Sequence, residues 1–569
     1  MRRAVEGSAV RTDVLIVGGG CGGVGAALAL ASRGVGCVMT EPTAWVGGQM
    51  TSQGVPPDEH AWIEGDGPGV GPAGGFFGAN RSYVSFRQRV RAWYRERGSL
   101  TAAAAAEARL NPGGGWVSRL CFEPRVGHAV LMGMLEEADS GRGVLTLLTG
   151  WEPVRADAAG GDTVGAVTVR ERETGREVAI EARLVLDATE PGDVLELAGV
   201  EHSVGAEAQR VFDELHGRTD LPAGVTCDPL DQQACTWCLA LEHDAAGEHV
   251  IEKPASYEDW RSFVPGTEPG WTGRLFSWVV PSHNEAGRLE LPLVPPPDEP
   301  GEGALELWRY RRLVDASKHT GGRRDVTLVN VVQTDYFGGP LLGVSAAERE
   351  RALGAAREQA LSFAYWMQTE SPRHDTGERR GYPGLRLAGD ALGTADGLAM
   401  HVYVREPRRL SGLATLTEAH VGAAQRESAG VRRVDGVGVV PGEAFWDAVA
   451  VGHYPIDLHP SCAGRNSVYV EACPFAVPGR ALVPRRVRNA LAAGKCLSVS
   501  HVANGSTRLH PVEWCVGEAA GVLAAVSLRT GEEPAALVSD EKRFAPVRAE
   551  LLRGGAELAW PWDGSGGSA

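Results

Sequence analysis

The densest group of reactive side chains lies between residues 453 and 460, where the chain reads His453-Tyr454-Pro455-Ile456-Asp457-Leu458-His459-Pro460. Extended backbone sends alternate side chains to opposite faces, so His453, Asp457 and His459 are expected on one face. Imidazole titrates near neutral pH and takes a proton best when a carboxylate orients it. The cluster therefore reads as a catalytic group: a histidine base, Asp457 beside it, and the Tyr454 phenol close by. The same residues would also serve as a polar loop tied by hydrogen bonds, and three ligands alone make a poor metal site, so no metal is expected. Other candidates are sparser. Arg405, followed by Glu406, Arg408 and Arg409, could clamp a substrate carboxylate or form a solvated face. Asp335-Tyr336 could supply an acid and a phenol, or only a turn into Gly338-Gly339. Cys235-Thr236-Trp237-Cys238 has the spacing of a redox dithiol, while a zinc site there would need His243 or another donor beyond Cys227.

These residues need a scaffold, and its clearest part is N-terminal. Val14-Leu15-Ile16-Val17 is a short apolar run that suits a buried parallel strand. Gly18-Gly19-Gly20-Cys21-Gly22-Gly23 follows and fits G-x-G-x-x-G. A helix-forming stretch, a second apolar run at 35–39 and then Glu41 complete the strand–turn–helix–strand–acid order of a dinucleotide site. Gly18 allows the tight turn, Gly20 the approach of a pyrophosphate, and Gly23 close packing of helix on strand. The helix N-terminus offers N–H groups to phosphate, and Glu41 an acceptor to a ribose hydroxyl. No second fingerprint of this quality follows: Gly436-Val437-Gly438 runs into Pro441, where a helix would have to start. Further on, 164–171 and 177–186 read as a hairpin across Thr174-Gly175. A long apolar helix is expected from Pro511, with Glu513 in its first turn and Gly531 at its end.

The chain has 569 residues, enough for three or four domains of roughly 150 residues. Its 56 basic and 72 acidic residues leave a net charge of -16, which argues against a nucleic-acid partner. Ten scattered cysteines, most inside apolar runs, suggest a cytoplasmic protein and no disulfide framework. Residues 1–12 lack a secretory pattern, and the uncharged stretch 14–32 carries its glycines where a membrane helix would not; no transmembrane segment is expected. Composition divides the chain into 1–200, a Trp-, His- and Pro-rich insertion at 201–385, a second excursion at 386–480, a returning part at 481–535 and an extension at 536–569. A Pro-rich loop is expected at 295–300 and a disordered tail at 559–569.

Together these segments resemble the FAD-dependent oxidoreductases of the FAD_oxidored type, within the glutathione-reductase-like flavoproteins. The likeness is carried by the glycines from 18 to 23, Gly47-Gly48-Gln49, Asn111-Pro112-Gly113, the run 117–124, Asp187-Ala188-Thr189, the run 335–339, Tyr403-Val404-Arg405-Glu406, Tyr454-Pro455-Ile456-Asp457 and the block 491–521. It spans about residues 11–530. It implies an α/β fold: a Rossmann-type FAD-binding domain with a parallel central sheet and β-meander, plus an inserted α+β substrate domain. It implies non-covalent FAD held by Gly18, Gly20, Gly22, Gly23, Glu41, Gly47, Gly48, Gln49, Asp187, Thr189, Gly494, Ser506, Arg508 and Gly517. The helix start at Pro511, with Arg508, would face the pyrimidine end of the flavin, where negative charge develops on reduction. The expected reaction is hydride transfer from a C–H, C–N or C–OH centre of a small organic substrate to flavin N5. A flavin monooxygenase, an NAD-only dehydrogenase and a flavin-holding structural protein are the competing readings. Substrate, electron acceptor and oligomeric state are not indicated.

Overall fold

A computed structural model gives the fold and describes every residue except 3–6, 8, 68–76, 98, 159, 161, 268–269, 282–287, 295–305, 377–379 and 564–569. The expected Pro-rich loop at 295–300 therefore lies outside the described residues.

The apolar run 14–17 is the fully buried end of strand β1 (Ala9–Val17). Gly18, at φ +102°, turns the chain into helix α1 (Cys21–Ser32), and strand β2 (Cys37–Glu41) follows. β1 and β2 are parallel, with Val14 opposite Cys37. Helix α2 (Pro124–Asp139) leads to strand β3 (Leu145–Thr149), which extends the parallel sheet beyond β2. Strands β4 (Trp151–Ala158), β5 (Val164–Glu171) and β6 (Glu177–Asp187) then form an antiparallel meander, with β5 and β6 joined at the expected hairpin. β6 is long enough to serve two purposes. Its first half pairs with β5, and from Ala179 onward it runs parallel to β1, ending with Asp187 opposite Val17. That register delivers the turn after β6 directly onto the glycine turn after β1.

The insertion is a second sheet. Strand β7 (Leu239–His243), the hairpin β8 (Val279–Pro281) and β9 (Arg288–Glu290), and strands β10 (Arg312–Val314) and β11 (Val326–Val329) precede helix α3 (Ala346–Thr369) and strand β12 (Leu385–Leu387). The order β10-β11-β7-β12 is antiparallel throughout. Phe363, Ala364 and Met367 of α3 share one apolar cluster with Leu239 and Leu241 of β7 and Leu385 of β12, so the helix packs on this sheet.

The chain then makes the small pair β13 (Ile456–Leu458) and β14 (Val468–Val470) and returns to the first sheet through β15 (Ala490–Ala492). β15 lies parallel to the second half of β6, with Leu491 opposite Leu186. Helices α4 (His501–Thr507), α5 (His510–Thr530) and α6 (Glu541–Gly554) complete the fold. α5 begins one residue before the expected proline and is capped by Gly531, at φ +76°. Among the described residues it is the one helix long and apolar enough to cross a membrane, and 94% of that stretch is buried in the protein. The tail expected to be disordered from 559 is ordered as far as it is described. Trp560 and Trp562 are buried against Trp62 and Phe77, and burial of two indoles outweighs the cost of ordering a few residues.

Candidate active site

The glycine turn is packed from three sides. A Cβ on Gly18 would strike the backbone of Ala188, one on Gly23 the carbonyl of Gly18, and one on Gly22 the carbonyl of Ala493. Gly47, at φ +114°, donates its N–H to Gly19 O at 2.7 Å, which lays the 45–49 loop on the turn. Gly48 then comes so close to Gly20 that a Cβ there would sit 2.8 Å from its Cα. Glu41, buried at the end of β2, accepts from Gly19 N at 3.1 Å and from Thr43 N and Oγ1 at 2.9 and 2.6 Å. Burial pushes its pKa up to about 7, against the pull of those hydrogen bonds.

Two more carboxylates face the same turn. Glu190 pairs with the buried Lys495 and keeps its Oε1 without a partner. Glu513, in the first turn of α5, accepts from Gly22 N at 3.4 Å and from Gln49 Nε2. Burial and the charge of Glu190 raise Glu513 from 4.5 to about 7. The folded protein without cofactor thus holds a proton there that the unfolded chain gives up between about pH 4.5 and 7, so this contribution to stability is present at acid pH and lost as pH rises through that window. Glu513→Gln removes the titration. Urea unfolding of the cofactor-free protein should show the variant gaining on wild type from about pH 5 to pH 7, by up to about 1.4 kcal/mol per unit, and a level difference above. A pH-independent difference would contradict the buried, protonated Glu513.

Gln49 joins this turn to a cavity. Its Nε2 donates to Arg508 O at 3.0 Å, and its Oε1 accepts from Tyr403 Oη at 3.0 Å. Tyr403 and Arg508 both line a cavity of about 400 Å³. Arg508 donates to Tyr403 Oη at 3.2 Å and to Asp457 Oδ2 at 3.0 Å. His459 also lines the cavity, and its Nδ1 lies 2.6 Å from Oδ2 of the fully buried Asp335. A carboxylate oxygen accepts, so Nδ1 carries a proton toward Asp335, and Nε2 lies 3.9 Å from Asp457 Oδ2. Asp335 Oδ1 is held by Thr236 Oγ1 at 2.6 Å and by Arg405 Nη1 at 3.0 Å.

The expected residues are partly brought together. Tyr454, Asp457, His459 and Arg508 all line the cavity. His453 does not belong with them. The strand covers only Ile456–Leu458, so the alternation does not extend back past Pro455, and His453 packs instead against Trp62 at 4.9 Å between ring centres. Burial drives its pKa down to about 4. Asp187 and Thr189 spend their side chains within their own turn: Asp187 Oδ1 accepts from Thr189 N and Oγ1, and Oδ2 from Leu195 N. Gly517 packs behind the turn, on the backbone of Gly22. Ser506 is fully buried with Oγ unpartnered, and Gly494 passes 3.6 Å from the Ala188 Cα when given a Cβ. The arginine run is no solvated face. Arg405, Arg408 and Arg409 are all buried, and Arg409 pairs with Glu406 and Glu207. Cys235 and Cys238 are free, buried and in different apolar clusters, and burial pushes both thiols up. Asp58, Arg311 and Tyr310, which also line the cavity, carry no sequence signal: Arg311 meets Asp58 across 253 residues of chain. Among the described residues no cluster of three His, Cys, Asp or Glu side chains could hold a metal.

A parallel sheet with a glycine turn at its carboxyl end, a meander and a returning strand is the architecture of a dinucleotide-binding flavoprotein. Residues 13–551 match the family described as FAD dependent oxidoreductase, and the chain belongs to that family. Its cofactor is FAD. No curated protein matches it. Among solved structures it is similar to the flavin-dependent monooxygenase PieE in complex with FAD and substrate (14% identity over 71% of this chain and 52% of that one, TM-score 0.26). Others are THI4 of Thermovibrio ammonificans (17%, 35% and 66%, TM-score 0.20) and the L-proline dehydrogenase of P. horikoshii (17%, 36% and 26%, TM-score 0.17). The chain spans about half the length of the first of these. The residues present fit FAD. Gly20 and Gly48 leave a groove in which any Cβ would meet the orphaned Glu190 Oε1, a buried acceptor suited to the hydroxyls that FAD carries.

Proposed function

We propose that the protein oxidises a small organic substrate at a C–H centre, with His459 as the base. The observation that carries this is the His459–Asp335 pair in the wall of a cavity that Gln49 ties to the glycine turn. Bound FAD supplies a two-electron acceptor for the hydride. Backbone N–H groups at the start of α1 would hold its diphosphate, Glu41 an adenosine ribose hydroxyl, and Glu190 a ribityl hydroxyl. Asp335 fixes the imidazole by its Nδ1–H, and Nε2 takes the substrate proton. Arg508, at the start of α5, would stand beside the negative charge that develops on the flavin pyrimidine.

The test is the visible spectrum of the purified protein before and after acid precipitation, followed by anaerobic titration with small-molecule reductants. Flavin bands that move to the supernatant, and that bleach with a substrate in the absence of nicotinamide, are expected. Flavin left in the pellet would replace non-covalent by covalent attachment. Bleaching only by NAD(P)H, with oxygen then inserted into a substrate, would move the reading to a monooxygenase. Tight flavin that no small molecule reduces would leave a structural flavoprotein.

A further inference from the structure

The cavity has two unlike sides. Its apolar side comes from the β8–β9 hairpin and the end of β11, with Val280, Leu289, Leu291 and Val331. Its polar side contains three buried arginines, each fixed through its terminal nitrogens. Arg311 pairs with Asp58 at 3.1 Å, Arg405 with Asp335 at 3.0 Å, and Arg508 with Asp457 at 3.0 Å. Each of the three keeps its Nε–H without a partner. A buried cationic N–H without an acceptor is costly, and a carboxylate is the small organic group whose two oxygens best satisfy guanidinium donors. The three aspartates balance the three arginines, so these pairs are together neutral before an anion enters. At the mouth, Trp116 and Tyr469 are 44% and 37% exposed, and the Trp116 ring lies 4.6 Å from Tyr310, an aromatic rim for an apolar body.

We propose that the substrate is a carboxylic acid with an apolar or aromatic body, its carboxylate taken by Arg311 and Arg405 while Arg508 serves the cofactor end of the cavity. This rests on the cavity being the substrate site of the oxidoreductase reading above. The test is binding to the FAD-loaded protein, by calorimetry and by displacement of the flavin bands, of phenylacetate, 4-phenylbutyrate and the matching amides. At least one acid should bind about tenfold or more tighter than its amide, and Arg311→Lys and Arg405→Lys should each weaken that acid about ten- to a hundredfold while moving the amide less than about threefold. Leu291→Trp, which fills the apolar side and leaves the arginines in place, should abolish binding of acid and amide alike. Amides binding as well as acids, acids insensitive to both lysine variants, or no acid binding at all would each overturn the proposal. If the lysine variants do not fold, the acid-against-amide comparison on the unmodified protein decides alone. Acids that bind to a flavin nothing reduces would sink the oxidoreductase reading, and with it the substrate role, and leave only a carboxylate-binding cavity. A neutral compound that reduces the flavin where no acid binds would do the reverse.

Discussion

His459→Ala is expected to slow substrate-dependent flavin reduction by about 10²- to 10⁴-fold, the usual worth of a positioned general base. FAD content and unfolding midpoint should stay close to wild type, because His459 is 22% exposed and its loss leaves Asp335 with Thr236 and Arg405. Stopped-flow reduction under anaerobic conditions separates the step from product release, and the loss should fall on the reduction rate with substrate affinity little changed. Added imidazole should recover part of the lost rate in the truncated variant, which a merely structural role would not allow. Asp335→Asn is a poorer probe, since it leaves Arg405 as a buried cation without its carboxylate and destabilises the fold as well as the base. A His459→Ala rate within about threefold of wild type would remove His459 from the chemistry.

How much of this was legible depended on whether the determining contacts are local. The turn from Val17 to Gly23 could be read because a strand, a glycine spacing and a helix occur in one short window, and each glycine excludes a Cβ from a defined neighbour. The hairpin at Thr174-Gly175 and the start of α5 beside Pro511 were equally local. The 24-residue helix α3 was not recognised, although Ser345 and Glu348 form a capping box at its start. Much of it is buried, including Ala352, Ala356, Ala360, Phe363 and Met367, while Gln359 and Ser362 are buried polar positions, and that mixture blurs the helical period. The alternation that grouped His453 with Asp457 assumed more strand than Pro455 permits. The arginine run misled for a different reason. Burial of Arg405 and Arg409 depends on Asp335, Glu207 and Glu406, and only the last of these is near in sequence. Asp58 and Arg311 were invisible because nothing but the folded chain brings a loop after the glycine turn to the start of β10.

The second large effect is expected from the smallest substitution, Gly517→Ala. α1 and α5 meet through atoms that only glycine leaves uncovered. A Cβ on Gly25 would lie 2.5 Å from Trp514 O, one on Gly521 2.7 Å from Ala26 O, and one on Gly517 would enter the backbone of Gly22. All of these neighbours are helix backbone, which cannot swing aside as a long side chain can. The methyl at 517 must therefore push the two helices apart, and α1 carries the glycine turn at its first residue. Overpacking of this kind costs about 3 kcal/mol or more where the structure cannot relax. The loss should appear both as a lower urea midpoint and as a purified protein with little FAD, since the turn moves with the helix. Gly133→Ala in α2 is the matched control: nothing lies within 4 Å of its added Cβ, and removing a helical glycine there should leave stability unchanged or raise it by about 0.4–1 kcal/mol. If Gly517→Ala kept its FAD and unfolded within about 0.5 kcal/mol of wild type, the helix pair would not be what holds the glycine turn in place.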